Sequence, residues 1–208
     1  MDPYITEQEQ IETLKKWWVK NGTSLLLTLS VLIAALGGYR YWQNTVYQGA
    51  LSASVEYTKM MDLMQQDKTA EAAAVGDQII QQSSGTPYAA LAALAVAKIQ
   101  VEKNEMTSAR SHLIWVVDHS DSPELRDMAQ LRLARVYFAE KNYDQALATL
   151  AHIRSADFLH VAAEVKGDVY VAQGDKDKAR IAYQEAVDAK KSNATITKLK
   201  LEDLGNKS

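Results

Sequence analysis

From Leu25 to Gly38 the chain is almost wholly apolar, and no charged residue occurs between Asn21 and Tyr39. At about 1.5 Å rise per residue a helix of that length reaches about 28 Å, close to the roughly 30 Å hydrocarbon core of a bilayer. Trp17 and Trp18 precede the run and Tyr39, Tyr41 and Trp42 follow it, the amphipathic aromatics that settle at membrane interfaces. The pattern predicts one transmembrane helix over 21–42. Lys15, Lys16 and Lys20 lie just before it, whereas Arg40 stands alone after it until Lys59. The positive-inside rule then puts the tail, 1–20, in the cytoplasm and the rest, 43–208, across the membrane. In a bacterial envelope that far side is the periplasm. A cleaved signal peptide competes, since Ala35-Leu36-Gly37 offers small residues for cleavage. Against it, the leading segment is long and acidic and the apolar helical pattern runs on past the cut.

On either side of the span the pattern acquires a helical period. Between Ile5 and Lys20 the residues Ile11, Leu14, Trp17 and Trp18 recur among acids, predicting a short amphipathic helix at the membrane surface, with Asn21-Gly22 loosening its junction with the span. Inside the span Ser30, Ala34 and Gly38 are four apart and form one strip of small residues, a face on which a second membrane helix could approach closely. Beyond it, Tyr39, Trp42, Val46, Ala50, Ala53, Tyr57, Met60 and Met64 advance by three or four, marking an apolar stripe on a helix to about Gln66. Asp67-Lys68-Thr69 supplies the turn.

The remainder repeats. Leu133-Ala134, Tyr137, Asn142-Tyr143-Asp144, Ala146 and Leu150 fall on Lys166-Gly167, Tyr170, Asp175-Lys176-Asp177, Ala179 and Tyr183 at a constant offset of 33. A backward step of 37 reaches Val96-Ala97, Gln100, Glu105-Met106-Thr107, Ala109 and Leu113, with Ser120 to Pro123 read as a longer connection. A unit around Met60 to Ile80 is degenerate. The period and the small residues are those of tetratricopeptide repeats, antiparallel helix pairs that bury a shared face by stacking. Ala146, Ala179 and Gly167 sit where paired helices cross closely. Ile196, Leu199 and Leu204 predict a final helix capping the stack, ended by Gly205. The fold class is thus all-α, an N-terminal transmembrane helix followed by a tetratricopeptide-repeat-like α-solenoid.

Composition narrows the chemistry. With 23 Lys+Arg against 26 Asp+Glu the net charge of −3 gives no reason to expect nucleic acid. The absence of cysteine excludes disulfides, thiolate metal sites and a cysteine nucleophile. His112, His119, His152 and His160 have no ligand spacing and most of them are read as exposed or helix-capping, and no catalytic or phosphate-binding motif is present. The expectation is a non-enzymatic chain without metal, cofactor or small-molecule substrate. Binding has a better case, because the first helix of each repeat lines the concave face of such a solenoid. The aligned units place Leu94, Leu131 and Glu164 at one lining position, Lys98, Arg135 and Asp168 at the next, and Val101, Phe138 and Val171 beyond. That is an apolar strip flanked by charges, a groove for an extended or amphipathic polypeptide, unless its apolar members pack within the domain.

Several short motifs occur in a particular order: Leu14-Lys15-Lys16 and Asn21-Gly22, Gly38-Tyr39-Arg40-Tyr41-Trp42 after the span, Ala53-Ser54 with Tyr57, Tyr88-Ala89 to Ala97, Leu131-Arg132-Leu133-Ala134-Arg135-Val136, and Gly174-Asp175-Lys176 with Ala179-Arg180 and Tyr183. In this order, behind an N-terminal span, the chain resembles the YfgM family, the ancillary subunit of the bacterial SecYEG translocon. The resemblance implies a single-pass inner-membrane protein with a periplasmic repeat domain. As partners it implies the SecYEG translocon, the membrane-anchored periplasmic chaperone PpiD, and client polypeptides emerging from the channel. It implies no catalytic residues. A general envelope-assembly scaffold and a regulator acting through its cytoplasmic tail are the competing readings.

Overall fold

A computed structural model of the chain describes residues 7–189 and 195–206, and all their regular elements are helices. These are α1 (Glu7–Gln65), α2 (Thr69–Gln82), α3 (Pro87–Glu102), α4 (Met106–His119), α5 (Pro123–Ala139), α6 (Tyr143–Leu150), α7 (Ala156–Gln173), α8 (Lys176–Ala189) and α9 (Thr195–Asn206). Ile5 lies outside the described residues. Two compact units divide the chain, Met1–Gln48 and Gly49–Ser208.

In the first unit α1 carries the apolar run, and every side chain from Thr23 to Tyr41 is exposed. Among the described residues this is the one helix long and apolar enough to cross a bilayer. Its few polar side chains are satisfied locally: the Thr28 hydroxyl donates to the Ser24 carbonyl at 2.8 Å and that of Ser30 to Leu26 at 2.8 Å. In hydrocarbon, where an unpaired hydroxyl finds no water, such bonds make these residues tolerable. The helix runs unbroken through Asn21-Gly22, where the sequence suggests a loosening. Asn21 Nδ2 donates to the Trp17 carbonyl at 3.1 Å, and the Trp18 indole lies where a Cβ on Gly22 would come within 3.2 Å of it. Glycine here admits a ring against the backbone.

The second unit stacks helix pairs. The α1 residues from Gly49 pack with α2 in one core cluster, followed by the pairs α3/α4, α5/α6 and α7/α8. Each pair turns on one residue in the left-handed region: Asp67, Asn104, Lys141 and Gly174. The amide of the residue just before the next helix closes back on the first: Lys68 N–H to Leu63 at 2.9 Å, Glu105 to Gln100 at 2.8 Å, Asn142 to Tyr137 at 2.8 Å and Asp175 to Tyr170 at 2.9 Å. This is the Schellman termination, which satisfies carbonyls that a helix end leaves orphaned. Four turns at equivalent positions show that the degenerate first unit keeps the register of the others. One turn on in each second helix stands a fully buried alanine: Ala72, Ala109, Ala146 and Ala179.

Where the two helices of a pair cross, side-chain sizes compensate. Met60, Ala97, Ala134 and Gly167 occupy the first helix and face Gly76, Leu113, Leu150 and Tyr183 on the second. A Cβ on Gly76 would come to 2.5 Å from Val96 Cγ2 on α3 and 3.0 Å from Met60 Cε, and one on Gly167 to 2.4 Å from the Tyr183 ring. Close packing leaves a fixed volume at each crossing, so a large residue on one side requires a small one on the other.

The difference between the two repeat lengths lies inside a helix. α4 spans 14 residues and α6 only 8, while the connection after α4 is the shorter one. Ser120 to Pro123 is therefore not where the extra residues sit. The connection after α6 is held by Asp127 on α5, which is buried and accepts the backbone N–H groups of Arg154 at 3.1 Å and Ser155, the residue that caps α7, at 2.6 Å. α9 packs on α8 as the sequence suggests, but of its three expected apolar contacts only Leu204 is buried while Ile196 and Leu199 are exposed, and the helix continues to Asn206, so Gly205 lies within it.

Candidate polypeptide-binding groove

The nine positions of the predicted groove do not share one environment. Leu94 and Leu131 are 3% and 6% exposed and belong to the core. A helix packed between neighbours on two sides turns its most apolar positions inward, and α3, which contacts α2, α4 and α5, has little free surface. Lys98, Val101 and Arg135 do come together, lining a cavity of about 390 Å³ with Ala97, Arg132 and Val136. Val101 is 37% exposed and offers an apolar surface there. Phe138 is half-buried with its ring 6.1 Å from that of Tyr143.

Glu164 and Asp168 are engaged by the C-terminal helix. Lys200 Nζ lies 2.8 Å from Glu164 Oε1 and 2.7 Å from Asp168 Oδ1, Thr197 Oγ1 donates to Glu164 Oε2 at 2.9 Å, and the Tyr183 hydroxyl donates to Asp168 Oδ1 at 2.7 Å. Burial opposes the Lys200 charge, but the bonds to Asp168 and Glu164 overcome it and raise its pKa above the usual lysine value. Val171, on the same helix, lines a separate small pocket with Leu204. The open groove is thus a feature of α3 and α5, and α9 occupies the corresponding face of α7. Lys200→Met is expected to weaken α9 docking by about 1–2 kcal/mol, allowing for the partial exposure of the cluster. Amide exchange across Leu199 to Leu204 should accelerate while that of α3 stays unchanged.

Two groups escape a reading of the sequence. Arg132 sits one position off the lining register yet reaches the groove, half-buried, with its guanidinium donating to the Leu94 carbonyl at 3.2 Å. His112 is neither exposed nor a cap: it is half-buried between helices, with Nε2 3.0 Å from Asp77 Oδ1 and Nδ1 2.9 Å from Gln100 Oε1. Both join residues more than ten positions apart, so no local spacing announces them. Among the described residues no cluster of His, Asp or Glu could hold a metal. In the first unit Ser30, Ala34 and Gly38 are exposed, and nothing stands within 4 Å of a Cβ built on Gly38.

The tetratricopeptide repeat-like domain model matches residues 15–206. A relative from Haemophilus influenzae, named ancillary SecYEG translocon subunit, is 31% identical over 201 residues, covering 96% of this chain and 98% of its own. The chain belongs to the ancillary SecYEG translocon subunit family. A second member, from Escherichia coli and of the same name, is 30% identical over 90% of each chain, and one from Aggregatibacter actinomycetemcomitans is 31% identical over 88% and 89%. Among solved structures the crystal structure of MamA superposes with a TM-score of 0.56 at 15% identity, covering 66% of this chain and 77% of that one. A MamA RS-1 double mutant reaches 0.60 at 16%, covering 74% and 83%. At such identities MamA shares the repeat fold with this translocon-subunit family, and the likeness extends to nothing else.

Proposed function

We propose that this chain is a non-enzymatic, single-pass subunit of the SecYEG translocon. Its tail, 1–20, lies in the cytoplasm, its span covers 21–42, and its repeat domain, 43–208, lies in the periplasm of the inner membrane. The domain receives polypeptides emerging from the channel together with the membrane-anchored chaperone PpiD. The observation that carries this reading is the end-to-end match to a relative of that name, over 96% of one chain and 98% of the other. The exposed apolar helix and the lysines before it support the membrane placement and its direction. In the span, the Ser30, Ala34 and Gly38 face is the surface for a membrane partner, where close backbone approach yields the packing that holds helices together in lipid. In the domain, Lys98, Val101 and Arg135 are the open part of the groove.

A photoreactive residue at Ala34 is expected to yield adducts with translocon components in intact cells. One at Val101, which is more exposed than Phe138, should capture the chaperone or an emerging chain. Recovery of neither would end the translocon reading, and a cytoplasmic adduct at Val101 would reverse the topology. Leu131→Asp cannot test the groove, because Leu131 is core and a buried charge there would unfold the domain. Val101→Asp serves that purpose.

A further inference from the structure

The groove between α3 and α5 has an apolar floor and an unbalanced rim. Ala97, Val101, Leu113 and Val136 supply the floor. Lys98, Arg132 and Arg135 stand around it against one acid, Glu102, which already lies 3.7 Å from Lys98. Arg132 and Arg135 make no ion pair among the described residues. Burial, and then the neighbouring charge of Arg135, lower the pKa of the Arg132 guanidinium from its usual value. Two like charges are therefore held near each other at the edge of an apolar cavity, one of them partly desolvated. A single carboxylate between them would relieve both the repulsion and the lost hydration. At about 390 Å³ the cavity falls within the size range of ligand clefts, roughly 300–1,000 Å³.

We propose that this groove takes a segment of a partner polypeptide in which an acidic side chain, paired with Arg132 and Arg135, is flanked by apolar residues that fill the floor over Val101. The inference rests on the groove being a polypeptide site, and it adds what selects the segment. The arginine forks give orientation, since a guanidinium and a carboxylate pair in a plane. The floor gives area. A basic segment is excluded by the same rim that attracts an acidic one.

The test uses the full chain in detergent micelles and three fluorescein-labelled twelve-residue peptides, identical in their leucines but carrying glutamate, glutamine or lysine beside them. The glutamate peptide is expected to bind at least about tenfold more tightly than the glutamine peptide at low salt, the lower end of what a hydrogen bond to a charged group supplies. Arg135→Glu, at an exposed position, should abolish that preference and favour the lysine peptide. Lys98→Glu, also exposed, reads the same rim should the Arg135 variant not fold. Equal binding of the glutamate and glutamine peptides, with both weakened by Val101→Trp, would overturn the charge selection and leave the polypeptide groove standing. Failure of every peptide to bind, together with no adduct at Val101 in cells, would remove the groove itself and this inference with it.

Discussion

Gly167→Ala is expected to lower the unfolding free energy of the chain by about 2 kcal/mol, although alanine is the better helix former by about 1 kcal/mol. The added methyl would stand 2.4 Å from Tyr183 Cδ1 and Cε1. The ring has no easy retreat: Tyr183 is buried, and its hydroxyl donates to Asp168 Oδ1 at 2.7 Å. Burial first, and then the Asp168 carboxylate, push the Tyr183 phenol well above its usual pKa, so it stays a donor at any ordinary pH. The second arm of the experiment comes from the repeat itself. Tyr183→Leu alone should cost about 2–4 kcal/mol through the cavity it leaves. In combination with Gly167→Ala it recreates the Ala134 and Leu150 pair of the preceding unit. The double variant should therefore be more stable than the sum of the single losses by about 1–3 kcal/mol, the coupling of residues in direct contact. Urea denaturation followed by circular dichroism measures all four corners. Strict additivity would mean that the crossing adjusts freely and that size complementarity is incidental.

Asp127→Ala is expected to cost about 2–3 kcal/mol, because it removes one acceptor from two backbone amides at once, each worth about 1–3 kcal/mol when left unpaired. Arg154 and Ser155 donate to the same carboxylate oxygen and hold the connection between α6 and α7. Their amide exchange should accelerate before that of the neighbouring helices. The loss also depends on pH. Burial alone would raise the Asp127 pKa, but the bonds from Ser155 and Arg154, with the charge of Arg126, overcome it and hold the group below the usual aspartate value. As pH falls, the unfolded aspartate takes up its proton first, near its reference pKa of about 3.9. The stabilisation is complete above that value and is lost as pH falls through the lower folded pKa. The gap between the native chain and Asp127→Ala should thus be constant near neutrality and close in strong acid. A gap that persisted to the lowest pH would show that the carboxylate's charge is not what holds the turn.

The groove illustrates how far a repeat alignment carries. Equivalence of Leu94, Leu131 and Glu164 is correct as register, and the structure gives the three different surroundings. The two leucines are core. Glu164 receives Lys200 and Thr197 from a helix more than thirty residues away. A repeat at the end of a stack meets a different neighbour from one in its middle, so equal sequence positions do not imply equal exposure. Arg132 shows the converse, since the lining register omits it and tertiary packing brings it to the rim.

The apolar helix, the helix-pair period, the alanines and glycine at the crossings, and the family are all legible in the order of residues along the chain. These rest on side-chain character at fixed helical spacing, which acts within a few residues. Which lining positions are open, that α9 covers the acids of α7, and that Asp127 holds the connection after α6 follow only from how the helices stack. Those outcomes depend on which distant groups come within hydrogen-bond reach once the helices stack, and periodicity carries no information about that.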